Sequence, residues 1–184
     1  MGRLDQLTAS ARVIASLYEI SPRSALKHWV PPLVMNVLAA QGADLPRSTH
    51  LMDSERWMLG PVENAAGLLS DLCAMYDEAS TTPVPLFRRT GIAWLEKRAL
   101  VPRAQPVDAQ TVAKARLAAH NAWTSSPAMG SMPARTGEGD SDWARLCWPD
   151  RDLLEDDVFL DMMAAQAERV LLPYLQQKQE LAVR

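Results

Sequence analysis

The sequence predicts an α/β fold: a small mixed β-sheet near the N-terminus, with several packed helices making up the rest. Three observations carry this. Residues 12–20 (RVIASLYEI) form a branched and apolar run stopped by Ser21-Pro22, the pattern of a strand. Two shorter strand patterns, at 50–52 and 56–59, flank Asp53-Ser54. Over 62–76, and again from 153 to about 177, apolar residues return at the three-to-four-residue spacing of a helix.

In chain order, GRLDQLTAS reads as a strand that turns through residues 9–11 and pairs with 12–20 as a hairpin. Ser21 or Ser24 caps a helix whose Leu26, Trp29, Val30, Leu33, Val34, Val37 and Leu38 make one broad apolar face. Pro31-Pro32 is expected to kink or restart it, because proline removes a backbone donor and clashes with the preceding turn. The patterns at 50–52 and 56–59 form a second hairpin. Pro61, suited to a first turn, opens a helix carrying Val62, Ala65, Ala66, Leu69, Leu72, Cys73 and Tyr76. STTPVPLF is a proline-rich connector or edge strand, followed by a short helix over 92–98 and a longer one over 108–123. Residues 124–142 hold turn formers without periodicity, which predicts a flexible surface loop with Met129 and Met132 available to dock. In the last helix Val158, Met162, Met163, Ala165, Val170, Leu171 and Tyr174 supply apolar contacts, and Pro173 bends its end.

A length of 184 residues fits one domain, spanning 1–184, with a substantial core. The 48% hydrophobic and 22% charged residues are ordinary for a globular chain, and no apolar run approaches the roughly 20 residues that cross a bilayer. The first residues show neither an export signal nor a myristoylation pattern, so a cytoplasmic protein without membrane partners is expected. Cys73 and Cys147 lack metal-ligand spacing and read as buried apolar thiols. A net charge of −3 excludes coating nucleic acid by bulk electrostatics, so any DNA contact is local or indirect.

The charge distribution says more than the total. Arg88, Arg89, Lys97, Arg98 and Arg103 gather positive charge with only Glu96 opposing, whereas 138–161 is strongly acidic. The basic group suits DNA phosphates, an acidic partner face or plain solvation. Asp140, Asp142, Asp150, Asp152, Glu155, Asp156, Asp157 and Asp161 read as helix caps and dipole partners before they read as a metal site. His28, His50 and His120 are far apart and read as surface or partly buried groups. Gly-Glu-Gly-Asp at 137–140 is too short for a nucleotide fingerprint, and its glycines allow a tight turn. Trp143 and Trp148 are expected to pack on that turn, or else to anchor an interface.

These motifs occur together. Arg135, Gly137, Glu138, Gly139 and Asp140 lie in one turn; Trp143, Arg145 and Trp148 follow; RVLLPYL closes the last helix; and GIAWLEK surrounds Trp94 ahead of the helix over 112–123. In that order they resemble the C-terminal end of the RecC (gamma) subunit of bacterial exodeoxyribonuclease V, over most of the chain. RecC proteins are several times longer, with helicase-like domains before a nuclease-like one, so the chain is expected to be a fragment or the product of a truncated gene.

The resemblance implies a degenerate PD-(D/E)XK nuclease-like fold with a partial core. The active version needs an Asp ending one strand and an acidic-x-Lys triplet on the next. The carboxylates hold a divalent cation and the Lys positions the attacking water. GRLDQ resembles the Gly-x-x-Asp motif, making Asp5 the first ligand position. The next strand offers Leu17-Tyr18-Glu19, or Glu19-Ile20-Ser21 in the other register, and both lack the lysine. The resemblance therefore implies a non-catalytic domain with no cofactor of its own, Mg²⁺ and ATP being used by RecB-like and RecD-like partner subunits. Its expected role is structural and DNA-handling, in a RecBCD-type helicase-nuclease acting in double-strand break repair and homologous recombination. Without the helicase-like region, Chi recognition is not expected from this chain alone. Two other readings stand beside it. One is a small active metal-dependent nuclease with a migrated lysine, using Asp5 and Glu19 as ligands and Lys27 or Arg23 as the cation; the other is a generic helical protein-interaction module. A sheet beginning at this motif is expected to leave a bare edge, with apolar surface exposed near Val13, Leu17 and the first helix, so that the chain either self-associates or needs a missing N-terminal portion.

Overall fold

The computed structural model describes residues 4–16, 28–52, 56–128 and 134–180. Leu17, Glu19, Ser21, Arg23, Ser24, Leu26, Lys27, Met129 and Met132 lie outside the described residues. The secondary structure is mixed α/β, as expected. The chain divides into two compact units, one of Met1–Asp77 with Pro173–Arg184 and one of Glu78–Leu172.

The first unit holds a four-stranded sheet in the order β1 (Arg12–Ala15), β2 (Thr49–Met52), β3 (Arg56–Leu59), β4 (Lys178–Glu180). β2 and β3 are the expected antiparallel hairpin, with Thr49 opposite Leu59. β1 instead runs parallel to β2, pairing Arg12 with Thr49 and Ile14 with Leu51. The expected first hairpin shrinks to one antiparallel bridge, Leu7 to Arg12. Thr8 explains why: its amide and hydroxyl both donate to the Ala11 carbonyl, and its hydroxyl also accepts from the Ala11 amide. That tight turn consumes the groups a longer ladder would use. Period-two alternation then buries Arg12, Ile14, Thr49 and Leu51 on one face.

Helix α1 (Val30–Ala40) starts at Pro31-Pro32, which occupy its first turn where no backbone donor is missed. The described helix begins at these prolines, and the part expected before them, from Ser21 or Ser24 to Lys27, lies outside the described residues. Val30 and Leu38, assigned above to the apolar face, are exposed, while Met35 and Asn36 are buried. Asn36 is the polar centre of the unit. Its Nδ2 donates to the carbonyls of Pro32 (2.9 Å) and Arg47 (3.0 Å), and its Oδ1 accepts from the Val62 amide (3.1 Å) and Arg47 Nε (3.3 Å). One amide thus ties α1 to the chain before β2 and after β3. Trp29 meets Tyr174 edge-on at 5.7 Å, and burial pushes the Tyr174 hydroxyl up to about 12. Helix α2 (Ala65–Ala79) begins after Pro61, yet only its Ala65 is buried. Tyr76 and Cys73 are exposed and Cys147 is partly so, which corrects the buried-thiol reading.

The second unit is helical. α3 (Arg88–Lys97) begins four residues earlier than its apolar pattern. α4 (Ala109–Trp123) is capped by Asp108, whose carboxylate accepts from the Thr111 amide and hydroxyl and is held below the usual carboxylate range chiefly by that hydroxyl. A short α5 (Asp142–Cys147), capped by Ser141, stands where no helix was expected. α6 (Asp157–Gln177) starts four residues later than expected and carries Pro173 inside it. The core is an aromatic cluster: the Phe87 ring lies 4.7 Å from Trp123 and 5.3 Å from Trp148, and Phe159 closes it at 5.4 Å from Trp123. Gly91 lets α3 approach α6 closely, since a Cβ there would stand 2.8 Å from Ala167 Cβ and Leu171 Cδ1. Val158 and Met162, assigned above to the core, are 72% and 46% exposed.

Candidate functional site

Two places carry the residues singled out by the sequence. The first is around Asp5, in the sheet unit. Arg12, whose side chain enters the buried face of β1, donates from Nε to the Asp5 backbone carbonyl at 3.1 Å. Burial lowers the pKa of Arg12, and the neighbouring Asp5 charge offsets this in part. A guanidinium therefore stands near Asp5, the residue expected above to hold the first metal-ligand position. Arg12 was missed by the sequence reading; an arginine directly after the motif's turn was the available signal. Among the described residues, no group of three or more His, Cys, Asp or Glu is placed to hold a metal ion.

The second place is the Arg135–Trp148 segment. Gly137, Glu138 and Gly139 lie across the C-terminal end of α4: the Glu138 amide donates to the Ala122 carbonyl (3.1 Å) and the Gly139 amide to the Trp123 carbonyl (2.9 Å). Those carbonyls belong to the last turn of a helix, which lacks intrahelical donors. The glycines are needed for space, because neither has a positive φ. A Cβ on Gly137 would fall on the Trp123 carbonyl oxygen, and one on Gly139 would enter the Trp123 ring. The ring packed on the turn is thus Trp123, itself fixed by Nε1 donating to the Arg151 carbonyl at 2.9 Å. Trp148 joins the aromatic core, but Trp143 is 58% exposed and does not pack on the turn as expected.

Glu138 serves a second helix. Its Oε1 accepts from the Arg89 amide (3.0 Å), and its Oε2 accepts from the Thr90 amide (2.8 Å) and hydroxyl (2.9 Å). Helix α3 starts after Phe87, which supplies no side-chain cap, so a carboxylate from 48 residues away closes its N-terminus. The missing local cap before Arg88-Arg89-Thr90 was a legible sign that another segment must supply one. Glu138→Ala is expected to cost about 2 kcal/mol, as the loss of a cap with a partly buried hydroxyl left unpaired, measured by chemical denaturation. Glu138→Gln should cost less, since an acceptor remains.

Around this turn Arg135 donates to the Asn121 carbonyl, and its backbone exchanges two hydrogen bonds with Ser126, each 2.9 Å. Asp140 is held below the usual carboxylate range first by the Ser125 hydroxyl and then by Arg145, which contacts it at 2.8 Å. Its contribution to stability is complete above the ordinary carboxylate pKa and is lost as pH falls through the depressed one. Both groups line a cleft with Trp123 and Arg151, but acid and base are already matched to each other there.

The basic group is largely committed to internal contacts. Arg89 donates to the Thr136 carbonyl at 2.6 Å. Arg98 is 5% exposed, lies over the Trp94 ring at 5.5 Å and donates to the carbonyls of Pro102 and Gln105. Arg103 pairs with Asp161 at 3.2 Å and Glu168 at 3.5 Å. Arg88 is half-buried, and Lys97 is exposed. No described helix is long and apolar enough to cross a membrane.

Comparison with known proteins fits the sheet unit and the start of the helical one. The family model of the RecC C-terminal domain matches residues 1–99, which include Asp5, Arg12, the Asn36 network and the GIAWLEK helix. No curated protein matches the chain. Since the matched residues make up more than half of the 184, the chain belongs to the RecC C-terminal domain family.

Proposed function

We propose that this chain is a non-catalytic structural and DNA-handling part of a RecBCD-type helicase-nuclease acting in double-strand break repair and homologous recombination. It works in the cytoplasm with RecB-like and RecD-like subunits, which use the Mg²⁺ and ATP, and it has a degenerate PD-(D/E)XK nuclease-like ancestry. Family membership supports the setting in a multi-subunit complex. One observation carries the non-catalytic reading: Arg12 brings a fixed guanidinium to Asp5. A metal-dependent nuclease gains rate by placing a divalent cation where charge develops on the phosphate, with a general base or lysine at the water. A permanently charged side chain next to the first carboxylate opposes a second cation there, and a guanidinium neither loses a proton near neutral pH nor polarises a water as a metal does. The residues around Asp5 thus fit an internal ion contact better than a metal centre. Of the basic group, Lys97 keeps its charge in solvent and is the residue best placed to touch DNA phosphate or a partner carboxylate.

Incubating the purified chain with linear double-stranded and single-stranded DNA in Mg²⁺ or Mn²⁺ tests this, with Asp5→Ala as control. The expected outcome is no cleavage by either protein. Cleavage that disappears in Asp5→Ala would instead make Asp5 a working ligand and replace the proposal with the small-nuclease reading. Absence of binding to DNA and to both subunits would replace it with the interaction-module reading.

A further inference from the structure

We infer that the start of α6 is a docking surface for a basic, amphipathic segment of a partner protein; the inference rests on the complex-subunit reading above and names the face and the chemistry that reading leaves open. Val158 and Met162 stand one helical turn apart at the beginning of α6, with Leu154 in the turn just before it. Their exposures are 72%, 46% and 39%. Leu154 is held in place at both backbone ends: its amide donates to Asp152 Oδ1 at 2.7 Å, and its carbonyl accepts from Arg116 at 2.9 Å. The apolar row is therefore presented by an ordered segment. An exposed row of this kind, fixed in position and rimmed by charge, is the composition of an interface and not of a solvated helix face.

Charge decides what the partner is. Val158 shares one hollow with the carboxylates of Asp150, Asp152, Glu155, Asp156 and Asp157. Asp156 is paired with Arg151, and Asp157 with Arg116. Asp150 and Glu155 are exposed and make no ion pair among the described residues. The rim keeps surplus negative charge, so it repels nucleic-acid phosphate and attracts Lys and Arg. A segment with apolar side chains at helical spacing and flanking Lys or Arg satisfies both halves of the surface.

Two variants separate these halves while leaving the core alone: Val158→Ser with Met162→Ser, and Asp150→Asn with Glu155→Lys, asparagine being used because position 150 has a left-handed backbone (φ 55°) that it tolerates. All four side chains are exposed, so the unfolding midpoints should match the parent chain. The binding of each purified chain to RecB-like and RecD-like subunits is measured at low and high salt. The unaltered chain should bind one of them. Each double variant should bind it at least tenfold more weakly, and the charge variant should also lose much of the salt dependence. If the unaltered chain binds and both variants bind equally well, this surface is not the docking site, and the complex-subunit reading survives. If the unaltered chain binds neither subunit, the reading and the inference fall together.

Discussion

Gly137→Ala is expected to destabilise the helical unit by about 3 kcal/mol or more, the upper range for forcing a methyl into a filled site. The added carbon would clash with both the Trp123 carbonyl oxygen and the Thr124 carbonyl carbon. These are backbone atoms, and no rotamer change can move them aside. The turn would have to lift off α4, breaking the amide contacts to Ala122 and Trp123, and Glu138 would leave the N-terminus of α3 with it. A denaturant titration followed by tryptophan fluorescence reads this directly, because Trp123 and Trp148 lie in the core beside the turn. Gly60→Ala is the matched control: a Cβ there meets nothing within 4 Å, so the change should be within a few tenths of a kcal/mol of neutral. Equal stability of Gly137→Ala and the parent chain would show that the turn does not rest on α4.

In the sheet unit the largest expected effect belongs to Asn36. Replacing it with leucine keeps the branched shape and the number of side-chain heavy atoms but strands the Val62 amide and the Arg47 carbonyl, at a cost of about 3 kcal/mol for groups left unpaired in a buried site. Asn36→Asp tests the same contacts. It retains the acceptor for the Val62 amide and Arg47 Nε but loses the donor to the Pro32 and Arg47 carbonyls, so it too should be less stable than the parent chain in denaturation at neutral pH. Equal stability of Asn36→Asp and the parent would place the side chain in solvent.

Much of the fold was legible because it follows from local pattern. The hairpin of β2 and β3, the placement of α4 behind Asp108 and the helical identity of 65–79 are each written in a few adjacent residues. Periodicity failed where two features of one segment compete. Val158 and Met162 have the spacing of a core face, yet the face of α6 that packs is set by Phe159, Met163 and Leu171. α5 was missed because six residues are too few for a periodic signal, although Ser141 marks its start. The parallel partner of β1 was invisible for a different reason: strand order is a long-range choice, and a nearby turn formed by Thr8 looks the same in sequence whether or not a ladder follows.

The candidate site divides in the same way. Asp5 and the Gly-Glu-Gly turn could be picked out by residue type, and so could the family, whose match covers residues 1–99 and not the turn. That Arg12 faces Asp5, that Arg98 and Arg103 are bound into the protein, and that Glu138 caps a helix 48 residues away depend on which segments meet in space. Alone, the sequence determined the α/β class, most helix positions, the hairpin and the membership in the RecC C-terminal domain family. Only the tertiary structure decided which charges are spent internally and which face outward, because a side chain's partner is set by chain segments distant in sequence, while local pattern carries information only about its neighbours.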